Sequence, residues 1–259
     1  TDAGATDLGA STVSGTLGIT SGGAVTDSGT LAITGATTIS ASGQDITLDQ
    51  GASTFGTLSL TGVNVAVTDA GATDLGASTV SGTLGITSAG AVTDSGTLAV
   101  TGTTTISASG QDITLDQGAS TFGTLALTGA NVAVTENAAT DLGASTVSGT
   151  FAITSGGAIT DSGTQAITGD ATFTNTAGTD DAITLDDASN AFGGTVTFTT
   201  DSGSAVTIVD TTALDLKALT AASLSATSGG AVTDSGTLAI AGATTISASG
   251  QDITLDQGA

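Results

Sequence analysis

The stretch TDAGATDLGASTVSGT opens at Thr1, opens again at Thr68 and returns as TENAATDLGASTVSGT at Thr135, so the starts are evenly spaced. Residues 1–67 and 68–134 differ at five positions (Gly22/Ala89, Ile33/Val100, Ala36/Thr103, Ser59/Ala126, Val63/Ala130), every one an exchange between small or aliphatic residues. A chain that copies itself at this length is an array, so its fold must let each unit pack against another of its kind. Residues 1–259 read as a single continuous segment made of units 1–67 and 68–134, a looser unit 135–207 and a partial unit 208–259. The sequence stops at GQDITLDQGA, where earlier copies continue STFGTL, and so reads as a window cut from a longer protein.

The local signal is β. Thr57-Leu58-Ser59-Leu60-Thr61 and Thr195-Val196-Thr197-Phe198-Thr199 alternate with the period of two that places Leu and Phe on one face and Thr on the other. Runs of Thr, Val and Ile are bounded by Gly, Ser, Asn and Asp, and a helical stripe is nowhere present. Cutting at the strand-like openings gives segments 24–44, 45–64 and 65–90, and the same lengths follow in the same order at 91–111, 112–131 and 132–157. At roughly 20 to 26 residues, each segment has the size of one turn of a right-handed parallel β-helix, with three short strands and three corners. The expected fold is an all-β solenoid of about 11 to 12 such coils. A sandwich or barrel also uses evenly spaced strands. Near-identical units favour the solenoid, because each coil needs only to resemble its neighbour.

In this reading Leu17, Leu31, Leu58, Leu84, Leu98, Leu125, Phe151, Val196, Leu224 and Leu238 form one inward column. Ile19, Ile33, Leu60, Ile86, Val100, Leu127, Ile153, Ile167 and Phe198 form the next. Phe55, Phe122 and Phe192, three of the six Phe, recur as core fillers three coils apart. Gln165 interrupts the first column and is expected to turn outward or to be hydrogen-bonded.

Composition removes several functions. The chain carries 24 acids against a single Lys or Arg, Lys217, for a net charge of −23. Nucleic acid and anionic lipid would both be repelled. With no His and no Cys, zinc, haem and iron–sulfur sites have no ligands. No apolar run approaches the ~20 residues of a membrane span. Absence of Cys also suits a long protein exported unfolded, which points outside the cell.

The strings GQDITLDQGASTFGTLSLTGVNVAV and SGGAVTDSGTLAITGATTI resemble the repeat regions of filamentous haemagglutinin-like exoproteins of Gram-negative bacteria, and the resemblance extends over the whole chain. It implies a right-handed parallel β-helix, export through the outer membrane by a partner transporter or a fused barrel, and service as an adhesin, a biofilm fibre or a stalk. The match is one of repeat style, without a motif that specifies an activity.

Three sets of residues are candidates for function. An acid closes the first strand of nearly every coil: Asp27, Asp49, Asp69, Asp94, Asp116, Glu136, Asp161, Asp186, Asp210, Asp234 and Asp256. Stacked at one corner about 5 Å apart they would repel by roughly 1 kcal/mol per pair, and calcium would relieve this. The plainer reading is a solvated acidic edge whose Asp residues also bond their own turns. Outward Thr columns flank the core pair: Thr16, Thr30, Thr57, Thr83, Thr97, Thr124, Thr150 and Thr164 before it, and Thr20, Thr34, Thr61, Thr87, Thr101, Thr128, Thr154 and Thr168 after it. Their ~13 Å separation suits a solvated face, or packing against another rod, better than ice. Paired carboxylates at Asp180/Asp181 or Asp186/Asp187 are the nearest approach to catalytic residues, but neighbours on a strand face opposite ways. Residues 170–221 break the regular lengths and would place longer corner loops, the natural contact for a specific partner.

The expected function is therefore mechanical: an extracellular, cell-surface structural or adhesive rod with no catalysis in this segment and no required cofactor. Its partners would be identical rods or further repeats of the same chain, with cell-surface glycans or receptors as further candidates. The alternative is a calcium- or glycan-binding display module on a solenoid stalk.

Overall fold

A computed structural model describes residues 1–176, 181–200 and 203–257. Every regular element among them is a strand, and every recorded strand pairing is parallel. The fold is a parallel β-solenoid. Contacts divide the chain into two compact units, Thr1–Gly129 and Ala130–Ala259.

In the first unit one ladder runs through Thr6–Leu8, Val25–Asp27, Ile46–Leu48, Val65–Asp69, Leu84–Ser88, Thr103–Ser107 and Thr124–Gly129. Thr6 lies beside Val25, Val25 beside Ile46, Ile46 beside Val65, Val65 beside Leu84, Leu84 beside Thr104 and Thr104 beside Leu125. Each coil therefore takes about 20 residues, at the short end of solenoid repeats. In the first repeat a coil has three strands: a short pair such as Thr6–Leu8 and Ser11–Val13, then a longer strand such as Leu17–Thr20 on the second ladder. Alternation drives this, since Leu58 and Leu60 point into the dry interior while Ser59 and Thr61 remain partly exposed.

The second repeat reverses the arrangement. Thr57–Gly62 ends the long strands of the second ladder, and two short strands stack on it. Its start (Thr57, Leu58) pairs with Asp74 and Leu75, and its end (Thr61, Gly62) pairs with Thr79 and Val80. On the first ladder Val65–Asp69 runs past Ile46–Leu48 until the N–H of Ala70 donates to Ser53 O at 2.7 Å. One long strand now covers what two short ones occupied. The sequence TDLGASTV thus sits on the first ladder at 6–13 and on the second at 73–80. One repeat, residues 1–67, spans three and a half coils, not three, and the two faces exchange roles at the joint.

This corrects the expected inward columns. Leu17 and Leu58 share the second ladder, on either side of Thr37, while Leu84 stands on the first; Leu31 and Leu98 lie on short strands beside Ser11 and Ser78. The actual columns on the first ladder are Val65, Leu84, Thr104, Leu125 and Val67, Ile86, Ile106, Leu127. Segment 65–90 is more than one coil, because Val65 already has Leu84 beside it.

The second unit makes the same exchange by itself. Val132–Glu136, Phe151–Ser155, Ala171–Asn175 and Thr195–Thr199 are its long strands, with short pairs such as Ile159–Asp161 and Gln165–Ile167 on the other ladder. Thr195–Thr199 then takes Leu214–Ala221 beside it, a strand bulged at Lys217, which lies between the partners of Val196 and Thr197. Ala205–Asp210 runs on until Thr211 N–H meets Asn190 O at 2.8 Å.

Coils in this unit lengthen by several residues where Ile159 stands beside Ile183, Ile183 beside Val206 and Ala171 beside Val196. The interior fills accordingly with Phe173, whose ring lies 5.9 Å from Phe151, 6.1 Å from Phe192 and 5.7 Å from Phe198. The extra residues fall between Ala171–Asn175 and Ile183–Leu185 and between Thr195–Thr199 and Ala205–Asp210, within the stretch the sequence marks as irregular.

Corners between coils demand glycine in two ways. Gly43, Gly110 and Gly250, in the turns of the three SASGQD copies, adopt φ of 77°, 74° and 82°, a left-handed conformation costly for other residues. Gly96 has ordinary φ, but a Cβ there would lie 2.2 Å from Ala77 N of the coil beneath.

Candidate functional site

The register takes the acidic column apart. Asp27, Asp94, Asp161 and Asp234 end short strands and lie beside Leu8, Leu75, Leu142 and Leu216, not beside other acids. Asp27 belongs to the first ladder and Asp94 to the second, because the faces exchange between them. Each reaches into the following coil, where its Oδ1 accepts a backbone N–H: Asp49 to Asp27 at 2.9 Å, Asp116 to Asp94 at 2.8 Å, Asp186 to Asp161 at 2.8 Å and Asp256 to Asp234 at 2.8 Å. The donors Asp49, Asp116, Asp186 and Asp256 keep their own carboxylates exposed. Asp69, Glu136 and Asp210 form a separate set at the ends of long strands, beside Ser88, Ser155 and Ser228, and are 1%, 3% and 1% exposed. Eleven acids predicted at one corner are four capping pairs and three acids buried at the ends of long strands. Among the described residues no group of three or more acids is placed to hold a metal ion.

The electrostatics follow from burial. Desolvation raises the carboxyls of Asp27, Asp94 and Asp161 above the ordinary value, the accepted N–H groups pull them back, and the charges of Asp49, Asp116 and Asp186 push the same way as burial. Asp69 and Asp210 are likewise raised by burial, against hydrogen bonds from Gly71, Thr73 and the Phe55 backbone to the first and from Thr212 and the Phe192 backbone to the second. Exposed Asp170 goes the other way, lowered first by the Thr195 N–H that donates to it at 2.9 Å, with Lys217 a minor contributor.

Sequence reasoning missed a set of buried polar acceptors. Ser53 and Ser120 are fully buried, and each Oγ accepts a short-strand N–H, from Leu31 and from Leu98, both at 3.0 Å. Asn190 does the same in the second unit, its Oδ1 taking the Gln165 N–H at 2.7 Å. The signal was present: Ser, Ser and Asn occupy one place in QGASTF, QGASTF and DASNAF. Gln165 is hydrogen-bonded within the interior, its Nε2 donating to Gly163 O at 2.7 Å and Gly143 O at 2.8 Å.

The Thr columns are not those expected. Thr16, Thr30, Thr83, Thr97, Thr150 and Thr164 precede their strands. Thr57 stands beside Asp74 and donates to its Oδ2 at 2.7 Å. Thr61 lies beside Ser40 on one side and Thr79 on the other. An unbroken column does occur in the second unit, through Thr135, Thr154, Thr174, Thr199 and Thr220. Of the carboxylate pairs, Asp180 lies outside the described residues. Asp186 and Asp187 both present backbone N–H groups to Asp161, at 2.8 and 3.3 Å, which is a turn cap.

A family described as repeats of unknown function (DUF5649) matches residues 1–61, 62–128, 129–199 and 203–259. Its internal boundary at 61/62 falls within Thr57–Gly62, the strand at which the faces exchange. No curated protein and no solved structure matches the chain.

Proposed function

The chain belongs to this family of repeats, and from that premise we propose that it is a structural element: an extensible, extracellular rod or adhesin shaft that spaces or attaches cells, without catalysis in this segment. The observation that carries the reading is the exchange joint. It lets one repeat follow another with the aliphatic interior and the parallel ladders uninterrupted, so length is set by copy number alone. Hydrogen bonds between coils run along the stacking direction, so tension is carried by many backbone bonds. The carboxylates traced above serve turn N–H groups, an architectural use of acids.

The finer identity, a filamentous haemagglutinin-like exoprotein displayed on a bacterial surface, is part of the same proposal. It is supported by the GQDITLDQGASTFGTL strings and by the absence of Cys from the sequence. Partners in this reading are identical rods or further repeats, and the charge-free Thr column of the second unit suits lateral contact between chains that otherwise repel.

Electron cryo-microscopy of surface filaments from cells with repeats added or removed tests the proposal. Each added repeat is expected to lengthen the filament by about 17 Å, three and a half coils at ~4.8 Å. Filaments of unchanged length, or an array retained inside the cell, would contradict it.

A further inference from the structure

The joint between the first two repeats contains a buried hydrogen-bond chain that is one proton short when its acid is ionised. Asp69 closes the strand Val65–Asp69 and is 1% exposed. Its Oδ1 accepts the Gly71 N–H at 2.8 Å, and its Oδ2 lies 3.2 Å from Thr73 Oγ1. Thr73 Oγ1 is also 3.0 Å from Ser88 Oγ in the next coil, and Ser88 Oγ is 3.0 Å from Gly71 O and 3.0 Å from Gly90 O.

Three links follow one another: Asp69 to Thr73, Thr73 to Ser88, and Ser88 to a carbonyl. A hydroxyl supplies one proton. With Asp69 ionised, two protons serve three links, and one pair of oxygens must meet lone pair to lone pair. With Asp69 protonated, its O–H donates to Thr73, Thr73 donates to Ser88, and Ser88 donates to Gly71 O or Gly90 O. All three links are then satisfied.

The equivalent hydroxyls of the first repeat show the two-proton version. Thr6 Oγ1 donates to Ser21 Oγ at 3.0 Å and Ser21 Oγ to Gly4 O at 2.8 Å, while Asp2 is exposed and takes only the Gly4 N–H.

We propose that the exchange joint is a proton-operated clasp, in which Asp69 supplies the missing donor on acidification and so tightens the coil contact where one repeat hands over to the next. The elements packed against Asp69 are Ile46–Leu48, the Ser53–Phe55 segment, Thr73–Leu75 and Leu84–Ser88. The titratable groups on or beside them are Asp45, Asp49 and Asp74, all acids, so none offers the countercharge an ionised Asp69 would need. Burial accordingly pushes its carboxyl up, with no charged neighbour among the causes. Asp210, 1% exposed at the second unit's joint, is also a buried acid but is held differently: Oδ1 takes the Thr212 and Phe192 N–H groups at 2.9 and 3.2 Å and the Thr212 hydroxyl at 2.9 Å, while Oδ2 is buried without a partner.

The test uses the whole chain of 259 residues. Asn is a neutral isostere of the protonated acid, its NH2 able to donate to Thr73 and its oxygen to accept from Gly71. The proposal expects Asp69→Asn to melt at or above the wild-type temperature at pH 8, with the difference shrinking on acidification to about pH 4, near the ordinary carboxyl value. It also expects the Asp69 carboxyl carbon, followed by NMR, to titrate above 3.8. A midpoint at or below 3.8, or an Asp69→Asn deficit equal at both pH values, would overturn it. If the variant does not fold, the carboxyl midpoint in the wild-type chain decides alone.

Discussion

At Thr57–Gly62 the exchange of faces is made by two short strands separated by Gly76 and Ala77, whereas at Thr195–Thr199 it is made by one continuous strand, Leu214–Ala221. TDL-GA-STV in the first joint corresponds to LDL-KA-LTA in the second, with Lys217 in the place of Gly76. A Cβ at Gly76 would sit 2.4 Å from Ser59 Oγ and 2.9 Å from Thr57 Cγ2, so a side chain at the first joint has to displace both. The second admits Lys because the strand bulges there and carries residue 217 outward, exposed. The same topology is reached from different side chains. What the two joints share is backbone: a long strand covered by two short ones, Thr57–Gly62 by Thr73–Leu75 and Ser78–Val80 and Leu214–Ala221 by Val232–Asp234 and Leu238–Ile240, and an N–H carried on to the next acceptor, Ala70 to Ser53 and Thr211 to Asn190.

The comparison breaks most visibly in the interior. Phe173→Ala removes the ring that touches three others and should cost about 3–5 kcal/mol, read from chemical denaturation. Ile86→Val, in the narrow aliphatic core of the first unit, should cost only about 0.5–1.5 kcal/mol. Equal losses would mean that the wide and narrow coils are packed alike.

Smaller effects sharpen the joints themselves. Gly76→Lys is expected to destabilise the chain by about 1–3 kcal/mol through overpacking, and Lys217→Gly by no more than about 1 kcal/mol. Thermal melting of the two variants side by side checks the asymmetry, and a reversal would show that the bulge is not what accommodates the side chain. Ser53→Ala strands the buried N–H of Leu31, at about 1–3 kcal/mol; Ser53→Asn, which imitates Asn190, should recover part of that loss.

The smallest effect is on pH dependence. Burial raises the folded carboxyls of Asp94 and Asp161 above 3.8, so the fold holds their protons more tightly than the unfolded chain does. Below 3.8 both states are protonated and ionisation costs nothing. As pH climbs through the raised folded value the cost appears, so stability falls as pH increases. Asp94→Asn keeps an acceptor for the Asp116 N–H and is expected to flatten the rise in melting temperature that the wild-type chain shows as pH falls from neutrality toward 3.8. A slope as steep as wild type would remove Asp94 from the account.

Strands, their parallel stacking and the solenoid itself were legible in the sequence, because alternation and repetition are carried by residues such as Leu58 and Leu60 without regard to context. The half-coil was not. Both faces are written in the same code of hydrophobic residues two apart, so LAI at 31–33 and LGIT at 17–20 look interchangeable although they lie on different ladders. One clue was in view: segment 65–90 holds four strands, Val65–Asp69, Thr73–Leu75, Ser78–Val80 and Leu84–Ser88, where a coil has three. Misplacing that half-coil also aligned acids that never meet. Asp27 and Asp94 share a sequence context, VTDSGT, but sit on opposite ladders. The proton count at Asp69, Thr73 and Ser88 was beyond any sequence reading, since residues 69 and 88 come together only once the register is known.

The register at the joint defines the half-coil exchange, and disulfide trapping reads it directly in a chain that has no Cys of its own. Thr61 and Thr79 are partners across neighbouring strands, within the span a disulfide bridges. A whole-coil repeat would instead set Thr61 beside Thr87, which here lies on the other ladder beside Thr68. The half-coil exchange predicts that Thr61→Cys/Thr79→Cys oxidises to a cross-linked chain with the fold intact while Thr61→Cys/Thr87→Cys remains reduced. Cross-linking of the second pair and not the first would contradict it.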